Sequence, residues 1–139
     1  MPVTRITHHG AVDGVTGSCH QLSLPDGTTL PLSKGVRAGD FVFLSGQLGL
    51  DENGRVAEGI EAQTRHCLRN IRDALALAGL DLGAVVKATV WLTEVGDFAA
   101  FNKVYAEAFA SAPPARSTVV SGLVLPGAKI EIEVVAYAG

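Results

Sequence analysis

The sequence predicts an α/β domain of the α+β kind, with a single mixed β-sheet and two helices packed on one face. Three observations predict it. The chain has 139 residues, 47% of them apolar, which suits one compact domain with its own core. Two segments with helical spacing lie between segments rich in β-branched residues, so crossovers must return the chain to one sheet. The segment 85–92 is apolar on both faces, the pattern of a strand covered from both sides.

The elements follow in order. Residues 1–33 read as an irregular amino-terminal segment rich in Gly, Ser, Thr and His. Within it, 3–7 suits a short strand, and 19–24 with 28–32 suits a hairpin across Pro25-Asp26-Gly27. Residues 34–139 read as the main domain. Arg37-Ala38-Gly39-Asp40 is expected to turn, 41–45 to form a strand, and Asp51-Glu52-Asn53-Gly54 to turn again. From 61 to 78, Cys67, Leu68, Ile71, Leu75 and Ala78 fall on one helical stripe, and Gly79 stops it. A strand at 85–92 follows. Asp97 is expected to cap a helix carrying Phe98, Phe101, Val104, Tyr105 and Phe109, which Pro113-Pro114 ends. Strands at 116–123 and 130–137 complete the set, joined by a turn at Leu125-Pro126-Gly127.

Two helices cover only one face of such a sheet, so the other face needs cover that a second copy of the chain could supply. Charged residues are only 18% of the chain, which also suits a subunit that buries part of its outside. The net charge of -3 argues against a nucleic-acid footprint, which needs clustered Lys and Arg. No stretch is long and apolar enough to span a bilayer and no signal-peptide pattern opens the chain, so a cytoplasmic protein is expected. Cys19 and Cys67 make no disulfide framework, and Cys67 reads as a small buried thiol. His8, His9, Cys19 and His20 are metal-ligand types, but their spacing matches no zinc pattern, so no metal site is expected.

Two residues could carry chemistry. Arg116 follows Pro113-Pro114-Ala115 at the start of a strand, where a planar guanidinium fork could bind a small carboxylate by two parallel hydrogen bonds. Taken alone, such a residue is more often a surface or ion-paired arginine than a site. In Ile130-Glu131-Ile132-Glu133-Val134, alternation turns the apolar trio to the helices and the glutamates to the opposite face. A carboxylate there could hold a water or pass a proton, or else form an interfacial salt bridge. Arg116 is expected on that same interface-facing side.

Five segments together resemble the RidA/YjgF family of reactive-intermediate deaminases: 43–47 (FLSGQ), 88–93 (ATVWLT), 97–105 (DFAAFNKVY), 114–118 (PARST) and 130–133 (IEIE). They occur in that family's order and span about Pro31 to Ala138. The resemblance implies a chorismate-mutase-like fold and a homotrimer with clefts between subunits. It also implies a 2-iminobutanoate/2-iminopropanoate deaminase-like hydrolase, which turns 2-aminoacrylate-like enamines and imines into 2-keto acids and ammonia without a cofactor. By position, Arg116 would bind the substrate carboxylate, and Glu131 would place or activate the attacking water. Thr118 would sit in the pocket, and Ser45, Gly46 and Asn102 would line or support the cleft. Leu32 stands where many such deaminases carry a tyrosine, and Val120 replaces an acidic residue of some relatives. These two departures keep a second reading open, a non-catalytic module that binds a keto acid or another small carboxylate in the same cleft.

Overall fold

The computed structural model describes residues 3–6 and 31–139. The hairpin expected across Pro25-Asp26-Gly27 lies outside these residues, as do His8, His9, Cys19 and His20. One sheet organises the rest. Its strands are β1 (Val3–Ile6), β2 (Gly35–Ala38), β3 (Phe41–Leu44), β4 (Gln47–Leu48), β5 (Val85–Leu92), β6 (Ala115–Val120) and β7 (Ile130–Tyr137). Across the sheet the order is β1-β2-β3-β7-β5-β6, with β4 also pairing β7. Among the described strands, only the β5–β6 pair is parallel. The helices are α1 (Ile60–Ala76) and α2 (Phe98–Ala108).

Both helices lie on one face. Cys67, Leu68, Ile71 and Leu75 of α1 and Phe101 and Val104 of α2 pack in one core with Ala88, Val90, Leu92, Ile130, Ile132 and Val134 of the sheet. Burying each large apolar side chain stabilises the fold by roughly 1.5–3 kcal/mol. The helix α1 stops because Gly79, at φ 73°, turns the chain back. The Leu80 N–H then reaches the Leu75 carbonyl at 3.0 Å, and Leu80 packs against the core. Among the described residues, no helix is long and apolar enough to cross a membrane.

Several local expectations change. The turn at 37–40 shortens to Gly39-Asp40, because Arg37 and Ala38 pair with Val42 and Phe41. Gly39, at φ 61°, takes the positive backbone angle that a two-residue hairpin loop requires. Strand β6 ends at Val120 rather than Leu123, where the Ser121 N–H bonds the Leu92 carbonyl and the pairing stops. Asp97 sits at the start of α2 but makes no side-chain cap. Its carboxylate lies instead 3.5 Å from the Lys129 ammonium, a charged partner that outcompetes a backbone N–H.

The second face is open. Cross-strand pairing sets Phe41 beside Tyr137, Phe43 beside Val135, Thr89 beside Glu133, and Trp91 between Glu131 and Val119. Phe41, Phe43, Val119 and Tyr137 are each more than 40% exposed. An apolar ladder of this width on one face marks an interaction surface.

Candidate functional site

The expected site residues fall into two groups. The first is built by β6 and α2. Parallel pairing sets Arg116 opposite Ala88 and Thr118 opposite Val90. Ala88 and Val90 are fully buried under the helices, so Arg116 and Thr118 project from the helix-covered face at its open edge. Arg116 turns its guanidinium onto three rings of α2. The central carbon lies 4.7 Å from the Tyr105 ring centre, 5.1 Å from Phe101 and 5.8 Å from Phe98, all within cation–π range. Among the described residues no carboxylate pairs with it. Beside it opens a pocket of about 550 Å³ bounded by Asn102, Tyr105, Phe109, Pro113 and Pro114.

Two hydroxyls in this group are buried without a hydrogen-bond partner among the described residues, Tyr105 Oη and Thr118 Oγ1. Buried polar groups are nearly always satisfied, so both are positions that a ligand or water would fill. Burial pushes the Tyr105 hydroxyl pKa up, and the nearby guanidinium pulls it partly back. The two groups are close enough for that influence, yet they do not reach well-aligned hydrogen-bond geometry.

The second group is built by β7 and the end of β3. Glu131 pairs with Trp91 of β5, so it projects from the open face. Gly46 lies against it. A Cβ built on Gly46 would come within 2.6 Å of Glu131 Oε2, so only glycine leaves that carboxylate its place. The Ser45 hydroxyl donates to the Ser33 carbonyl, and its N–H bonds the Lys34 carbonyl at 2.9 Å. These bonds anchor the segment that carries Leu32, whose side chain is exposed. Burial raises the Glu131 pKa, and the neighbouring Glu133 raises it further.

The register corrects one expectation. Arg116 does not share the face of Glu131. Ala88 and Trp91 are three residues apart on β5, so their partners Arg116 and Glu131 point to opposite sides of the sheet. The parity of that pairing is a property of the assembled sheet, and neither segment's own pattern contains it. Val120 pairs with Leu92 on the helix side of β6 and is exposed there.

Tyr105 escaped the sequence reading, which took it as a core position of α2. One signal was available. Phe98, Phe101 and Tyr105 recur at helical spacing on one stripe, and an arginine follows the double proline that ends the helix.

Comparison with known proteins gives consistent results. Residues 26–138 match the endoribonuclease L-PSP family. A RutC family protein from Pyrococcus horikoshii is 42% identical over 109 residues, covering 77% of this chain and 86% of that protein. The chloroplastic Reactive Intermediate Deaminase A of Arabidopsis thaliana is 43% identical over 108 residues, 76% of this chain and 58% of that protein. The crystal structure of the YjgF gene product from E. coli superposes with a TM-score of 0.75 at 35% identity, covering 78% of this chain and 89% of that one.

Proposed function

The chain belongs to the endoribonuclease L-PSP family, which includes RidA and YjgF proteins, and from that premise we propose that it hydrolyses reactive enamines and imines to 2-keto acids and ammonia. The observation that carries the reading is Arg116, a half-buried guanidinium with no acidic partner among the described residues, set at the mouth of a pocket. Such a group is ready for a small carboxylate.

The chemistry asks little of the protein. In the imine tautomer, protonated on nitrogen, C2 is strongly electrophilic. Arg116 holds the carboxylate and fixes the orientation of C2. Water adds to C2 while Glu131 accepts its proton, a task suited to a carboxylate whose pKa is raised. The proton passes to the amine nitrogen, the C–N bond breaks as the hydroxyl gives its own proton to the freed Glu131 carboxylate, and ammonia leaves as the carbonyl forms. Substrates of the 2-iminobutanoate and 2-iminopropanoate kind fit this sequence of steps. Thr118 and Asn102 border the carboxylate end, and Ser45 and Gly46 support Glu131.

Because Arg116 and Glu131 leave the sheet on opposite sides, we assign the complete site to a cleft between copies of the chain in a homotrimer. The open apolar face supports this assembly. In this reading residues 34–139 form the functional domain, residues 1–33 are an amino-terminal segment, and the reaction belongs to the cytoplasm. A second reading, carboxylate binding without turnover, is favoured by the exposed apolar side chains of Leu32 and Val120. One experiment separates the two. A pyridoxal-phosphate dehydratase or an amino-acid oxidase generates the imine, and keto-acid release is followed with and without this protein. Acceleration that falls about 100-fold in Arg116→Ala supports the enzyme. Binding of the keto acid with no acceleration for any imine supports the binding module.

A further inference from the structure

We infer that Phe98, Phe101 and Tyr105 position Arg116 in place of an acidic partner, so that its N–H donors carry no carboxylate of the protein and stay free for that of a ligand. The inference rests on the site reading above. All five donors of a guanidinium lie in its plane, at the rim, and its two faces carry none. A carboxylate that oriented Arg116 would occupy the rim and neutralise the charge, and so compete with the ligand. A ring brings no opposite charge and so neutralises nothing. Three rings surround the central carbon at 4.7 to 5.8 Å.

The acids that could have served instead are engaged elsewhere. Glu94 and Asp97, just before α2, both face the Lys129 ammonium at 3.4 and 3.5 Å. Glu107, further along α2, faces Arg65. Among the described residues the Tyr105 hydroxyl makes no well-aligned hydrogen bond, so its side chain acts on Arg116 chiefly through its ring. Phe98 and Phe101 lie outside the pocket lining and are positioning residues, acting on the ligand only through Arg116, whereas Tyr105 also borders the pocket.

The test is calorimetric titration of the full chain with 2-oxobutanoate and, separately, with its neutral amide. The variants are Phe98→Leu, Tyr105→Leu, Tyr105→Phe and Arg116→Ala. Phe98 is 41% exposed, so Phe98→Leu removes a ring without opening the core. Phe98→Leu and Tyr105→Leu are expected to weaken 2-oxobutanoate about five- to tenfold and leave the amide unchanged. Tyr105→Phe keeps the ring and should stay within about twofold of the parent. Unchanged 2-oxobutanoate affinity in both leucine variants, with Arg116→Ala defective, would overturn the inference alone. Equal weakening of acid and amide would overturn it too, because a merely structural defect gives that result. If Arg116→Ala binds 2-oxobutanoate normally, the site reading itself fails.

Discussion

Arg116 and Glu131 stand on strands that flank β5, yet they leave the sheet on opposite sides. One copy of the chain therefore cannot bring both to one small substrate. Two variants, each defective alone, should complement each other. Arg116→Ala and Glu131→Gln, mixed, dissociated and reassociated, are expected to recover a substantial fraction of parental imine hydrolysis. A mixture that stays as inactive as its components would exclude a shared site.

Gly46 sets the position of Glu131. In Gly46→Ala the new methyl group would meet Oε2 at 2.6 Å and the carboxyl carbon at 2.9 Å. Those atoms end a flexible side chain, so the carboxylate should swing aside and leave the backbone in place. Turnover is expected to drop about 100-fold, since a displacement of about 1 Å costs that much. Thermal unfolding should shift by only a few degrees, on the order of 1 kcal/mol. Gly49→Ala makes the contrast. Its methyl group would press on the Gln63 backbone at 2.5 Å, which cannot yield, and circular dichroism should reveal a destabilised or unfolded chain.

Glu131 should leave a mark on pH dependence. Its pKa lies above the ordinary 4.5 because burial, and then Glu133, disfavour the charged form. A carboxyl raised in the folded state supports stability fully at low pH, and that support is lost as pH rises through its folded pKa. Glu131→Gln is therefore expected to unfold at a slightly higher temperature than the parent at pH 7, by about 0.5 kcal/mol after screening, and to lose that advantage near pH 3. Activity that depends on ionised Glu131 should fall on acidification with a midpoint above 4.5. A midpoint at or below the ordinary value would remove Glu131 from the role of base.

Gln63 is the main structural polar group of the core. It is 2% exposed. Its amide nitrogen donates to the Ala57 and Gly127 carbonyls at 3.0 and 3.1 Å, and its oxygen accepts from the Lys129 N–H at 2.7 Å. One side chain thus ties two loops to α1, and one of those loops leads directly into β7. Gln63→Leu keeps the bulk but leaves three part-buried backbone groups without their partner, so a loss of about 2 kcal/mol is expected in urea unfolding. A loss under 1 kcal/mol would mean that water replaces the amide.

What the sequence could convey follows from the range of each interaction. Strands 85–92 and 130–137 were readable to the residue because alternation, β-branched composition and flanking turns all act locally. The apolar stripe of α1 was readable for the same reason. The two-residue strand at Gln47 and Leu48 was not, because it exists only through pairing with Ile132 and Glu131 far along the chain. Asp97 was read as a cap because Lys129, its actual partner, lies 32 residues away. Arg116, Thr118 and Glu131 could be named from their segments. Their division between two faces could not, because it depends on which residue of β5 each one meets.

The place of β7 has a consequence for synthesis. It lies between β3 and β5, so among the described residues it is the only strand that joins the β1–β3 half of the sheet to the β5–β6 half. As the chain leaves the ribosome, two partial sheets exist side by side with no strand in common until residues 130–137 emerge. Until then, the inner edges of β3 and β5 offer unpaired backbone donors and acceptors to any neighbouring chain. The interval between making β5 and docking β7 is therefore when this protein is most exposed to misassembly, and agents that slow translation between these two strands should lower its soluble yield.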